Sequence, residues 1–261
     1  MTQLKNPKYI AALVFAAFLA GVVFYAWPNK TPMSNYPNSK NLNPVNSSSR
    51  PPVFNKQQYS LKEANSIWVV VNKTRPLAPQ NYTPTDLATP NLPVRVPGNE
   101  SMQMRQVTAA ALEKMFAAAS ADGVKLMVSS GYRSYSYQVN LYGGYVKSSG
   151  QAAADNFSAR PGYSEHQTGL AVDLEPLDQQ CDVNICFANL PAGKWVSVNA
   201  YKYGFILRYP ADKIAITGYD YEPWHVRYIG TELALQMHQQ HVETLEEFFG
   251  LPAAANYITT N

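Results

Sequence analysis

Two short segments of this 261-residue chain hold residue types that could bind a metal ion and activate water. The first, SEHQTGLAVD, contains His166 and, seven residues later, Asp173. The second, EPWH, contains Glu222 and His225. Two imidazoles and a carboxylate leave one open position on a tetrahedral zinc ion, and a further carboxylate could act as general base. A single histidine beside a single acid is more often a solvated pair, but the joint occurrence of both segments predicts a catalytic zinc site.

The sequence around the first segment indicates how its side chains could meet. Residues 170–175 read as a strand, in which Asp173 points away from the face that carries Val172 and Leu174. Gly169 lies just before this strand and allows the chain to turn. We therefore expect His166 and Asp173 to converge on one point.

The second segment positions its residues in a similar way. Pro223 favours an extended conformation at Glu222. In the strand that follows, alternation places His225 and Arg227 on one face and Trp224 on the other. His225 is therefore expected to point away from the face that carries Trp224.

Two rival nucleophiles are disfavoured. The chain contains no Ser-x-x-Lys and no Lys-Thr-Gly, the motifs of one large class of acyl-serine enzymes. Cys181 and Cys186 have no histidine near them in the sequence, which argues against a cysteine nucleophile. In an oxidising compartment such a pair favours a disulfide, and a two-thiolate metal half-site is the alternative.

The two segments resemble the S-x-H-x-x-G-x-A-x-D and E-x-x-H motifs of the VanY-type zinc D,D-carboxypeptidases. That family also contains L,D-carboxypeptidases that act on peptidoglycan stems. The segment SGYRS at residues 130–134 and the upstream VVVNKTRPLAP match as well, and the resemblance covers about residues 60 to 250. It implies the following roles: His166, Asp173 and His225 as ligands of Zn²⁺, Glu222 as general base, and Arg133 as electrophilic helper.

Further polar and aromatic residues near these motifs are candidates for substrate binding. Hydroxyl groups around the turn at residues 161–162 could donate to a substrate carboxylate, although loop polarity explains Ser158 and Arg160 equally well. Aromatic residues beside the motifs are expected in the wall or the core. The predicted substrate-binding residues are Ser158, Ser164, Tyr132, Gln138 and Trp224.

The elements that must position this site alternate irregularly along the chain. The predicted strands are 124–129, 170–175, 205–209 and 225–228, and the predicted helices are 101–121, 135–148 and 231–249. In the first helix Met104 and Val107 stand at core spacing. Residues 66–72 form a short β-branched run. These elements predict a single α+β domain, with helices packed on a largely antiparallel sheet.

The N-terminal region predicts a membrane anchor. Residues 9–27 are 19 uncharged, mainly apolar residues, and a helix of that length rises about 28 Å, close to the hydrocarbon core of a bilayer. Lys5 and Lys8 precede it, which places residues 1–8 in the cytoplasm and the rest outside. A cleaved signal peptide is the alternative, but the bulky end of the run, Phe24 to Trp27, disfavours cleavage. We predict a single-pass protein of the cell membrane with an extracytoplasmic catalytic domain.

A linker and one catalytic domain are predicted after the anchor. Within the linker, residues 28–58, 17 of the first 25 residues are Pro, Asn or Ser and none is acidic. The zinc carboxypeptidase domain spans residues 59–261. A formal net charge of only +3 excludes a polybasic surface for nucleic acid, so no nucleic-acid partner is expected.

Three classes of function follow from these residues. The leading hypothesis is a zinc-dependent carboxypeptidase that removes the C-terminal D-Ala from peptidoglycan stem peptides. An L,D-carboxypeptidase acting on tetrapeptide stems is an alternative within the same class. A peptidoglycan-binding module without activity is the second class, which the presence of a base at Glu222 disfavours. A structural anchor protein is the third, and it would leave the His, Asp, Glu and His combination unexplained.

Overall fold

The computed structural model describes residues 54–258. The predicted cytoplasmic N-terminus, the anchor at residues 9–27 and nearly all of the predicted linker lie outside the described residues. Between residues 54 and 258, no helix combines the length and the apolar character that crossing a membrane requires.

A four-stranded antiparallel sheet forms the centre of the molecule. Its strands, in spatial order, are β3 (Leu126–Ser130), β4 (Ala171–Pro176), β6 (His225–Tyr228) and β5 (Phe205–Leu207). Two short strands, β1 (Leu87–Ala88) and β2 (Met104–Arg105), pair separately. All of these pairs are antiparallel, which confirms a mixed α and β fold with antiparallel sheets.

Seven α-helices occur in the described part of the chain: α1 (Gln106–Ala121), α2 (Tyr135–Ser149), α3 (Gln151–Phe157), α4 (Pro191–Asn199), α5 (Ile214–Thr217), α6 (Thr231–Gln239) and α7 (Leu245–Phe249). Short 3-10 helices occur at Glu100–Met102, Glu165–Thr168, Ile185–Asn189 and Ala200–Tyr203. Of these, Glu165–Thr168 carries one of the predicted metal ligands.

One face of the sheet packs against α1 and α4 in the main hydrophobic core. Val172 and Leu174 of β4 belong to this core together with Val226 of β6. They lie beside Leu112 of α1 and Val196 of α4. The opposite face of β4 and β6 is therefore free to carry polar side chains, as the alternation of the sequence predicts.

The start of the first predicted helix was wrong. The helix begins at Gln106 rather than at residue 101, because tertiary hydrogen bonds hold the preceding backbone extended. The amide of Arg105 donates to the carbonyl of Gly169, and the amide of Gln106 donates to the carbonyl of Asp86. Met104 is buried as predicted, but on β2, whereas Val107 is 40% exposed.

The single C-terminal helix predicted for residues 231–249 is also wrong, because it divides into α6 and α7. The break contains His241 at a φ of 54°, and the Thr244 hydroxyl caps α7 by accepting from the amide of Glu247. Both helices then pack on a second core cluster that includes Trp68. Within the β-branched run at residues 66–72, Trp68 and Val70 belong to this cluster, whereas Val69 and Val71 belong to a third cluster with Leu77. The run joins no sheet, and its one bridge joins Asn72 to Arg75.

The two cysteines lie in the loop that follows β4. Cys181 and Cys186 form a disulfide, which confirms the preferred prediction over a metal half-site. A Cα separation of 5.7 Å is ordinary for such a bond.

Candidate active site

Neighbouring strands of the central sheet bring two of the predicted ligands together. Asp173 of β4 and His225 of β6 are paired residues in the antiparallel ladder, so their side chains project from the same face. Oδ1 of Asp173 lies 3.3 Å from Nδ1 of His225. On the other side of β4, a shift in pairing between Val128 and Ser130 places Ser130 opposite Asp173.

His166 reaches the same point from the 3-10 helix Glu165–Thr168. Its Nδ1 lies 2.6 Å from the carbonyl oxygen of Gly131, so this nitrogen carries the proton and donates. Its Nε2 lies 3.3 Å from Oδ2 of Asp173. Gly169 ends the short helix at a φ of 67°, where a Cβ would meet the Arg105 side chain at 2.9 Å. The glycine in the motif is therefore needed to turn the chain from His166 into β4.

These three side chains fit a zinc ion. His166, Asp173 and His225 are all buried, and one potential ligand atom from each lies within 4.8 Å of the other two. Oδ1 of Asp173 is buried and accepts no hydrogen bond from the described residues. Two imidazole nitrogens and a carboxylate oxygen are a donor set typical of catalytic zinc.

Arg133 lies directly beside the potential ligands. Its Nη2 lies 2.6 Å from Nε2 of His166 and donates to Oδ2 of Asp173 at 2.9 Å. The hydroxyl of Ser130 donates to the same oxygen at 2.5 Å. Arg133 is held by its backbone as well, because its amide donates to the carbonyl of His166. The structure therefore places a permanent positive charge next to the metal site.

Burial and neighbouring charges shift the pKa values of the site in different directions. Burial raises the pKa of Glu222 to about 7. Burial and the charge of Arg133 lower the pKa of His166 to about 4. Burial also disfavours the charged form of His225, but the nearby carboxylates of Asp173, Glu165 and Glu222 outweigh it and raise its pKa to about 9. A carboxylate that titrates near neutral pH is suited to general-base catalysis.

The comparisons with known proteins agree with this arrangement. Residues 101–231 match the model of the VanY family, described as D-alanyl-D-alanine carboxypeptidase. The chain belongs to the VanY family. It is a zinc carboxypeptidase.

Relatives in the VanY family include two bacterial proteins. The YodJ protein of Bacillus subtilis (strain 168) is 43% identical over 193 residues, which span 73% of this chain and 69% of that protein. The D-alanyl-D-alanine carboxypeptidase of Enterococcus faecalis (strain ATCC 700802 / V583) is 40% identical over 146 residues. That match spans 52% of this chain and 52% of the Enterococcus protein.

Solved structures of the family superpose on the chain. The LdcB LD-carboxypeptidase is 41% identical, with a TM-score of 0.68, and the match covers 75% of this chain and 89% of that one. A mutant of the vancomycin resistance D,D-pentapeptidase VanY in complex with Zn(II) is 34% identical, with a TM-score of 0.56. That match covers 69% of this chain and 97% of that one.

A polar pocket opens above the metal site of this VanY-family chain. The predicted base Glu222 lines it with a side chain that is only 12% exposed, and Arg133 lines it as well. Ser158 and Ser164, two of the predicted substrate-binding residues, also face it. The structure thus brings all five predicted catalytic and metal-binding residues, and two of the five predicted substrate contacts, to one place.

The other three predicted substrate contacts do not line this pocket, and packing accounts for each of them. Tyr132 is 3% exposed. Gln138 is buried, and its side-chain amide donates to the carbonyl of Ala159. Trp224 lies directly before β6 and packs, partly buried, against the main core. Their predicted contact with substrate has no support in these positions.

Sequence reasoning missed three residues that surround the site. Tyr209 and Tyr219 are buried and line the pocket. Glu165 is 1% exposed and contacts Arg208 and Arg227. The sequence places Glu165 next to a ligand but contains no local sign that two distant arginines bind it.

Proposed function

We propose that this VanY-family protein removes the C-terminal D-Ala from peptidoglycan stem peptides as a D,D-carboxypeptidase. The observation that carries the proposal is the convergence of three buried ligands, a base and an arginine on one pocket. The name of the family model and of the Enterococcus faecalis relative supports the D,D reaction.

Each residue of the pocket receives a role in this proposal. His166, Asp173 and His225 hold zinc, which when bound supplies a Lewis acid and lowers the pKa of water to about 7. Glu222 accepts the proton of the attacking water and passes it to the departing amine of D-Ala. Arg133 stabilises the negative charge that develops on the oxygen of the cleaved carbonyl.

The L,D reaction is the second candidate within the same enzyme class. It is favoured by the similarity to the LdcB LD-carboxypeptidase, at 41% identity over 75% of this chain. Both reactions release D-Ala and differ in the configuration of the residue before it. The pocket residues Ser158 and Ser164 are available to bind the terminal carboxylate in either case.

A direct assay separates these candidates. Stem peptides that end in D-Ala-D-Ala and tetrapeptides that end in an L-centre followed by D-Ala are incubated with zinc-loaded protein, and free D-Ala is measured. We expect release from the first peptide, abolished by chelator and by Glu222→Gln. Release from the tetrapeptide alone would assign the L,D reaction. If neither peptide is cleaved but intact peptidoglycan is still bound, the hypothesis of a binding module would replace the hypothesis of an enzyme.

We also propose that the catalytic domain works outside the cytoplasm, tethered to the cell membrane by residues 9–27. The disulfide between Cys181 and Cys186 supports this location, because such bonds persist in oxidising compartments. Peptidoglycan stems, the proposed substrate, lie in the same space. Cell fractionation tests the proposal. An antibody against residues 54–258 locates the protein in the fractions before and after alkaline extraction of membranes.

A further inference from the structure

Two buried atoms without hydrogen-bond partners face each other behind the metal site. One is Nε2 of His225 and the other is Oε2 of Glu165, and they lie 3.7 Å apart. Glu165 is 1% exposed and His225 is 4% exposed, so water does not readily satisfy either group. The burial of both atoms without other partners is explained if one of them carries a proton that points at the other.

The opposite nitrogen of His225 faces the metal site. Its Nδ1 lies 3.3 Å from Oδ1 of Asp173 and 3.5 Å from Oε2 of Glu222. To bind a metal through Nδ1, a neutral imidazole must carry its proton on Nε2. The proton would then point at Glu165.

The other ligand histidine has a comparable arrangement with a different partner. Nδ1 of His166 donates to the carbonyl of Gly131, which leaves Nε2 toward Asp173. His166 and His225 thus present different nitrogens to the site. Each needs a group behind it that fixes which nitrogen carries the proton.

A buried ionic network fixes the Glu165 carboxylate. Its Oε1 accepts from Nε of Arg208 at 2.8 Å and from Nη1 of Arg227 at 2.7 Å, so Oε2 is left to face His225. Arg208 is held from its far side by Glu246 of α7, at 2.7 and 3.0 Å. The carboxylate therefore has little freedom to turn away from the imidazole.

We propose that Glu165 is a positioning residue that holds His225 in the Nε2–H tautomer and so directs Nδ1 to the metal. This inference rests on the ligand set given under the proposed function. In this role Glu165 is not a ligand of the metal and acts through His225. We expect the 3.7 Å contact to shorten to a hydrogen bond in the loaded site, as contacts of catalytic groups commonly do.

The test compares two buried carboxylates. Glu165→Gln removes the charge behind His225, whereas the matched control Glu175→Gln removes a buried charge that pairs with Arg95 and not with His225. Zn²⁺ affinity is measured by competition with a chelating dye, together with the visible absorption spectrum of the Co²⁺-substituted protein. Glu165→Gln should weaken Zn²⁺ binding by about 10- to 100-fold and shift the Co²⁺ bands. Glu175→Gln should keep wild-type affinity and spectrum, even where it lowers the melting temperature.

The tautomer can be observed without any variant. Long-range ¹H–¹⁵N spectra of zinc-loaded wild-type protein should show His225 protonated on Nε2 and His166 protonated on Nδ1. A proton on Nδ1 of His225, or unchanged Zn²⁺ affinity and Co²⁺ spectrum in a folded Glu165→Gln protein, would overturn the positioning role. Failure of the wild type to bind zinc would instead refute the ligand set.

Discussion

Glu222 and His225 are joined in one tight turn that directs a carboxylate at a ligand nitrogen. The amide of His225 donates to the carbonyl of Glu222, and Oε2 of Glu222 lies 3.5 Å from Nδ1 of His225. A single turn of backbone therefore sets the positions of both base and ligand. The E-x-x-H spacing of the sequence matches the first and last residues of a β-turn.

The three proposed ligands should bind one zinc ion per chain. His166→Ala and His225→Ala should each remove most of the metal, because two remaining protein ligands do not complete a catalytic zinc site. Metal analysis of the purified proteins after dialysis measures the occupancy. His238→Ala, an exposed histidine of α6, serves as the control and should bind zinc as the wild type does. Full occupancy in the His166→Ala, His225→Ala double variant would contradict the assignment.

Glu222→Gln should separate metal binding from catalysis. The amide keeps the shape of the side chain but cannot accept the proton of water, so hydrolysis should fall by roughly a hundredfold or more. Zinc content should stay at the wild-type level, because Glu222 is not one of the three ligands. Steady-state release of D-Ala and metal analysis of the same preparation provide the two readouts. Near wild-type turnover would show that another group is the base.

Arg133→Lys should lower kcat more than it raises KM. Lysine keeps the charge but lacks the planar fork that contacts His166 and Asp173, so stabilisation of the developing negative charge should be lost, by roughly a hundredfold in kcat. The control is Arg95→Lys, whose arginine pairs with Glu175 and Asp182 away from the pocket. Equal effects of the two substitutions on kcat would argue against a role in the reaction.

The ion pair between Glu246 and Arg208 should make stability depend on pH. Burial opposes the charge of Glu246, but Arg208 and Asn72 outweigh it and hold its pKa below the usual 4.5. A carboxyl with a lowered folded pKa stabilises the protein above its unfolded pKa, and this contribution is lost as the pH falls through the folded pKa.

Glu246→Gln should therefore lower the free energy of unfolding at pH 7 by about 3 to 5 kcal/mol, since it breaks a buried ion pair. The difference in the free energy of unfolding between the variant and the wild type should become smaller as the pH falls below about 4.5. Urea unfolding between pH 3 and pH 7 measures this difference. The control Glu243→Gln, with a side chain that is 61% exposed, should change little at any pH. A constant difference across this range would exclude Glu246 as the titrating group.

The disulfide gives a prediction about the compartment. Cys181 and Cys186 should resist thiol reagents in denatured protein that was taken from its native location without reductant. Both should react after reduction. Mass spectrometry of the peptide that contains residues 181–186 distinguishes the two states, and free thiols in the unreduced sample would contradict an oxidising compartment.

The placement of the ligands on the strands was predictable from the sequence. Alternation alone assigned Val172 and Leu174 to the core and Asp173 to the opposite face, because successive side chains of a strand point to opposite faces of the sheet. The boundaries of β6 were also predicted correctly. The position of a functional side chain was predictable wherever one motif contained both that residue and the turn that orients it.

Contacts between distant segments were not predictable in this way. Glu165 stands behind His225 only because Arg208, Arg227 and Glu246 meet there, and no spacing in the sequence connects these residues. The break between α6 and α7 differs, because it does carry a local signal: Thr244 and Glu247 form a capping pattern at the start of α7.

The position of β6 has a consequence for the newly made chain. β6 follows both β4 and β5 along the chain, yet it inserts between them in the sheet. A nascent or truncated chain that ends before residue 225 therefore lacks His225 and leaves β4 without its second neighbour. Such fragments lack one of the three proposed zinc ligands, so synthesis must pass β6 before the proposed site can form.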